Sequence, residues 1–262
     1  MAARMSMVRL LALLGIALAG QACAAATQAD LQRMDTALRR VAAPWCGRMA
    51  DFDSQGRRQC TITVRNLGQA GAGNAFAVWD MAGITNELLA ALSPDELAAV
   101  MGHELAHLVL GHGILRLRQA AGAADDMLLP LAESIGVAPH EDTPIDPVEQ
   151  ELDADTLGLV FAGLAGYDVR QGAAIWRTIA RREPSAAQGG TTHPDAARRL
   201  ANAREAAHAF CRAAAASRLP WPAAERLLPR YELSRDEAAR HIEPAALAHA
   251  CGRPAPRHTT TH

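Results

Sequence analysis

The sequence predicts a mainly α fold of the α+β class, with a small β ribbon. Ala is abundant and aromatic residues make up only 4% of the chain, which suits helices packed through small and aliphatic side chains. Apolar residues recur at three- and four-residue spacing in one segment after another from Thr27 onward. Period-two alternation is confined to short stretches before Asp80.

The elements follow in order. Leu31, Met34, Leu38 and Val41 place a helix over Thr27 to Val41, and Pro44 to Gly56 reads as a loop. "CTITVRNL" alternates through Ile62 and Val64 and reads as a strand. "GQAGAG" is a turn and "NAFAVWD" a second short strand. "AGITNELLAAL" turns through Gly83 into a helix. Ser93 then opens the best-specified helix of the chain: it is an N-cap, Pro94 suits the first helical position, and Glu96 completes a capping box. Leu97, Val100, Met101, Leu105, Leu108 and Val109 surround most of its circumference, so it is buried on most sides. Gly111 and Gly113 end it near His112. Pro139, Pro144 and Pro147 punctuate the segment Gly122 to Pro147, and Asp146 with Pro147 opens "VEQELDADTLGLVFAGLAG", which Gly166 stops. "DVRQGAAIWRTIARR" forms another helix, "EPSAAQGGTTHPD" a loop, and "DAARRLANAREAAHAFCRAAAA" a strong helix after Pro194. Ser234 to Glu237 repeats the capping-box pattern, and the tail after Cys251 frays. The organisation expected is a leader over 1–24, one domain over 27–215, and a helical appendage with a flexible tail over 216–262.

Arg4 and Arg9 precede the apolar run "LLALLGIALAG" and then "QACAAA", the pattern of a secretory signal peptide cleaved near Ala24 to Ala26. The run is short for a membrane span. Cys23 lacks a Leu three positions upstream, which disfavours lipid attachment. The expected location is the periplasm or the cell exterior. Cys46, Cys60, Cys211 and Cys251 remain in the mature chain, none in a C-x-x-C pair. An even count in an exported chain suggests two disulfides, with Cys46–Cys60 and Cys211–Cys251 the expected pairs and buried free thiols the alternative. The formal net charge is −2 and no long basic run appears, so nothing points to a nucleic-acid partner.

The Ser93 helix carries H-E-x-x-H at His103, Glu104 and His107. Residues four apart on a helix lie about 40° apart around its axis, so the two imidazoles point the same way and can share one zinc ion. Glu104 sits about 100° further round, where it can take a proton from the attacking water. Two unpartnered imidazoles on a mostly apolar helix would cost several kcal/mol, which argues against an ordinary surface pair. A hydrolytic zinc site needs a third protein ligand and an open position. Gly113 stands where a third His would continue the motif, and His112 lies on about the opposite side of the helix from His103. The ligand must come from elsewhere, and "QELDADTLG" offers Glu151, Asp153 and Asp155. Glu151 and Asp155 share a face, so one can reach zinc while the other orients an imidazole.

"NAFAVWDMAGITNELLAALSPDELAAVMGHELAHLVLGH", then "ELDADTLG", then "TTHPDAARRL" resemble the HtpX-like and CAAX-prenyl-protease-type zinc metallopeptidases, in particular exported members without membrane helices. The resemblance covers roughly Val64 to Leu200, and the combination of the three elements is what makes it specific. It implies a zincin-like helical metallopeptidase domain with its β ribbon at the active-site cleft. It also implies one zinc ion per chain held by His103, His107 and Glu151, with Glu104 as general base. Asp155 matches the family's Asp beside the ligand Glu, and His193 matches a His near the metal that stabilises the transition state or gates the zinc. Asn74, Ala75, Phe76 and Ala77 match a strand at the cleft rim, to which an extended substrate could add by main-chain hydrogen bonds. Asp153 stands where the family often has Glu, and Gly122 to Pro147 does not align.

Together these features predict a metalloendopeptidase acting on extended or unfolded exported polypeptides, with a membrane-associated partner as a further possibility. The rivals are a zinc-containing, chaperone-like or autoinhibited binding factor and a helical interaction protein with a fortuitous motif. Met81, Met101 and Met127 read as core filler, and Trp79 and Trp176 as packing residues. His140, His208 and His241 have no partner at ligand spacing.

Overall fold

The computed structural model describes residues 25–46, 50–52, 58–69, 74–78, 80–113, 146–184, 188–190, 193–216, 227, 247 and 249–252. The leader, Trp79, Met127, His140, His241, nearly all of Gly122 to Pro147 and most of 216–262 lie outside the described residues.

Helix α1, Gln28–Ala42, starts on the Thr27/Asp30 capping box and buries Leu31, Met34, Leu38 and Val41, the face its spacing predicts. A 3-10 turn over Ala43–Trp45 follows. Strands β1, Ala50–Phe52, and β2, Arg58–Cys60, pair antiparallel. Here the structure corrects the expected loop over Pro44 to Gly56. The single strand expected through "CTITVRNL" is likewise divided, because β3 covers only Thr63–Asn66.

Strands β4, Ala75–Val78, and β5, Met81–Ile84, complete a three-stranded sheet in the order β3-β5-β4. The middle strand β5 runs parallel to β3 and antiparallel to β4. The expected turn through Gly83 into a helix gives way here to a strand, although Ala82 and Gly83 have low strand propensity. Pairing on both sides and burial of Ala82 and Ile84 override it. The bare face of Gly83 receives the Leu67 side chain, whose Cδ1 would lie 2.6 Å from any Cβ there.

The helices form the rest: α2, Asn86–Leu89; α3, Pro94–Val109; α4, Pro147–Leu164; α5, Val169–Gly172; α6, Ile175–Arg182; α7, Ala196–Ala215. The one helix expected through "DVRQGAAIWRTIARR" is two, α5 and α6, and Gly172 packs against the Asp95 carbonyl at the start of α3. Helices α3 and α4 make the most extensive contact in the fold. Every residue of α4 from Gln150 to Leu164 is buried, so it is the central rod. The sheet and α1 lie against α3, and α7 packs on α4.

Disulfides join Cys46 to Cys60 and Cys211 to Cys251, the expected pairs, each with Cα atoms 5.7 Å apart. The first ties the end of α1 to β2. The second ties α7 to the C-terminal stretch, where Leu227 and Ala250 are buried in the core and the Val169 N–H donates to the Ala250 carbonyl. No helix among the described residues is long and apolar enough to cross a membrane.

Candidate metal centre

The site lies where α3 crosses α4. A Cβ on Gly102 would fall 2.5 Å from the Gly158 carbonyl oxygen, and one on Gly158 would fall 2.4 Å from the His103 nitrogen. Backbone therefore meets backbone, and the residues beside the crossing are drawn together. His103 and Glu104 are buried on α3, as are Glu151 and Asp155 on α4, while His107 is half-buried.

Glu151 faces both imidazoles. Its Oε2 is 3.5 Å from His103 Nε2 and its Oε1 is 3.5 Å from His107 Nε2. The two Nε2 atoms are 3.0 Å apart. One donor atom from each of His103, His107 and Glu151 lies within 4.8 Å of the others, the arrangement of a group able to hold a metal ion. The structure thus brings together the three residues that the family resemblance implies as ligands.

The other end of each imidazole is also held. His103 Nδ1 is 2.9 Å from Asp155 Oδ1. Asp155 in turn accepts from Arg199 Nε at 2.9 Å and Nη2 at 2.7 Å. The same Nη2 lies 3.3 Å from Glu151 Oε2, and the guanidinium sits 3.4 Å over the Trp176 ring. Arg199 was missed by sequence reasoning, although a signal existed. It lies in the buried stripe Ala196, Arg199, Ala203, Ala206 of α7, where an arginine needs a buried anionic partner. Trp176 does pack, as expected, but against this arginine.

His107 Nδ1 meets His112 Nδ1 at 2.7 Å. This corrects the placement of His112 on the far side of the helix. Helix α3 ends at Val109, and Gly111 has φ of +68°, a left-handed turn that brings the chain back over its last turn. His112 arrives against His107, fully buried.

His193 is largely exposed, with Nδ1 3.3 Å from Glu151 Oε1. The Gly190 N–H donates to its carbonyl at 2.7 Å, which closes the turn that carries it. Glu104, His193, Arg199 and Trp176 line one cleft of about 590 Å³ together with the three candidate ligands. Asn74, Ala75, Phe76 and Ala77 form its rim. Among the described residues β4 is an edge, paired only with β5. The Thr85 N–H donates to the Asn74 carbonyl, so ladder bonds alternate through Phe76 and Val78, and the Ala77 N–H and C=O point outward.

Charge is arranged to keep the carboxylates ionised. Burial pushes Glu151 up, but hydrogen bonds from His103, His107 and His193 hold it well below the usual carboxylate range. Burial also raises Asp155, and the Arg199 guanidinium and His103 outweigh it and bring it down. Burial and Arg199 both depress His103, yet its bonds to Asp155 and Glu151 win and hold it up to about 9. Two imidazole nitrogens and one carboxylate are a zinc donor set, and three protein ligands leave a position open, as a hydrolytic site requires. The residues present fit the metal.

Residues 46–138 match the family model described as Peptidase family M48. The matched stretch contains His103, Glu104 and His107 and ends before Glu151. The match covers about a third of the chain and is consistent with the resemblance carried by the motifs. No curated protein and no solved structure matches the chain.

Proposed function

We propose that the chain is a zinc-dependent endopeptidase of an exported compartment, cutting polypeptides held in extended form. The observation that carries this reading is the convergence of His103, His107 and Glu151 in a cleft beside Glu104 and a strand edge. Two disulfides and the leader-like N-terminus support an oxidising, exported setting.

In this reading His103, His107 and Glu151 hold one zinc ion. When bound, the zinc lowers the pKa of a water molecule and polarises the scissile carbonyl. The substrate backbone adds to β4, with the outward N–H and C=O of Ala77 as its partners, so it enters as a strand. Glu104 takes the proton of the attacking water and returns it to the leaving amine. Asp155 and Arg199 hold His103 and Glu151 in place. His193, on the exposed side of Glu151, is positioned to meet the oxyanion of the tetrahedral intermediate. Unfolded or misassembled exported proteins are the proposed substrates, on the strength of the leader and the family resemblance.

The test is casein, or a denatured exported protein, incubated with purified enzyme whose zinc content is measured. Glu104→Gln is expected to retain zinc and to lose at least 100-fold in cleavage, about the lower bound for a general base. Full activity in that variant, or a wild-type protein that takes up no zinc, overturns the reading.

A further inference from the structure

The ligands are backed in two different ways. His103 is held by a carboxylate, Asp155, itself neutralised by Arg199. His107 is held by an imidazole, His112, at 2.7 Å and fully buried. We infer that His112 is the positioning residue for His107: it accepts the His107 Nδ1–H and so fixes His107 in the tautomer that turns Nε2 toward the cation. The inference rests on the zinc reading above and extends it to a residue outside the ligand set.

The protonation follows from the geometry. A bond between two Nδ1 atoms needs one donor and one acceptor. His107 Nε2 faces His103 and Glu151, and in the zinc-loaded protein it would give its lone pair to the cation, so the ring proton would then sit on Nδ1. His112 Nδ1 therefore accepts, and its own proton lies on Nε2. Carboxylates and carbonyls are the more usual backing for a metal-bound imidazole. A neutral partner has a consequence for charge. Glu104, Glu151 and Asp155 contribute three negative charges and Arg199 one positive, which leaves −2 around a divalent cation. A second backing carboxylate would make that −3 and drain the cation's electrophilicity. An imidazole orients His107 without adding charge.

The experiment measures zinc affinity by chelator competition for wild type, His112→Leu and His112→Asn, together with the melting temperature of each protein after chelation. Asn carries a carbonyl oxygen at the place of Nδ1 and can accept the same proton. His112→Leu is expected to bind zinc about 10- to 100-fold more weakly, the usual cost of losing such a partner, while His112→Asn stays within about threefold of wild type. A purely structural role would instead lower the chelated melting temperature and leave affinity unchanged. Leu within about threefold of wild type, or Asn as weak as Leu, overturns the inference. Should the Leu variant not fold, nitrogen NMR of the zinc-loaded wild type decides: His107 protonated on Nδ1 and His112 on Nε2 supports it, and the reverse overturns it. Wild-type protein that binds no zinc overturns the metal reading itself, a failure distinct from normal zinc uptake with an indifferent His112.

Discussion

Gly158 of α4 lies against the backbone nitrogen of His103 on α3, so close that a Cβ there would fall 2.4 Å from it. The partner glycine, Gly102, meets the Gly158 carbonyl in the same way. The metal centre exists because two rods touch without side chains between them. Gly158→Ala must push the rods apart, and overpacking of this kind costs about 1–3 kcal/mol or more. Denaturant unfolding of the chelated protein measures that loss, and zinc stoichiometry should fall with it. Gly113→Ala is the control: nothing lies within 4 Å of its Cβ position, and stability should hold.

Arg199 joins Asp155 and Glu151 from a third helix. Arg199→Met leaves two buried carboxylates without their guanidinium partner. Breaking a buried ion pair from one side costs about 3–5 kcal/mol. The chelated protein should show the full loss in denaturant unfolding, and saturating zinc should recover part of it by supplying positive charge. Arg199→Lys should recover little, because an ammonium cannot present the paired Nε and Nη2 donors that Asp155 accepts or stack flat on Trp176. Equal stability of the Met variant and wild type without zinc would contradict this account.

The pH dependence has a definite sign. His103 is held up to about 9 in the fold against an ordinary value of 6.5, so folding favours its protonated form. Its contribution to the stability of the chelated protein is complete below 6.5 and is lost as pH rises through about 9. Melting temperature after chelation should therefore fall over that interval, and His103→Gln should flatten the slope. Zinc requires the neutral imidazole, so zinc uptake near neutral pH should release a proton, read by calorimetry in buffers of different ionisation enthalpy. Glu151 and Asp155 are shifted the other way. Their contribution is present above the normal carboxylate range and disappears as pH falls into strong acid.

The strand edge can be tested without touching the metal. Ala77→Pro removes an outward N–H and no ladder bond to β5. One hydrogen bond is worth about 1 kcal/mol net, so kcat/KM for a long peptide should fall roughly 3- to 10-fold. Zinc content should not change, and neither should hydrolysis of a substrate too short to reach β4. An unaltered kcat/KM for long peptides would remove the strand edge from the binding site.

Much of the site could be read before any fold was known. The capping box at Ser93 and Glu96, the apolar circumference of α3, and the four-residue spacings of His103 with His107 and of Glu151 with Asp155 are local facts. So is the even cysteine count behind the two disulfides. Strand β5 could not be read, because Ala82 and Gly83 say little about strands until β3 and β4 pair with them. Arg199 was half-visible as a charge in an apolar stripe, with no means of naming its partners.

By itself the sequence determined the helix that carries H-E-x-x-H and the acid-bearing helix that supplies the third candidate ligand. Helical periodicity and capping act over a few residues, and a single chain displays them openly. Only the tertiary structure decided that the two helices cross at Gly102 and Gly158, that Arg199 reaches both carboxylates from α7, and that Gly111 turns His112 back onto His107. Those relationships depend on close approach and burial between segments distant in the chain, and no local pattern records which surfaces will meet.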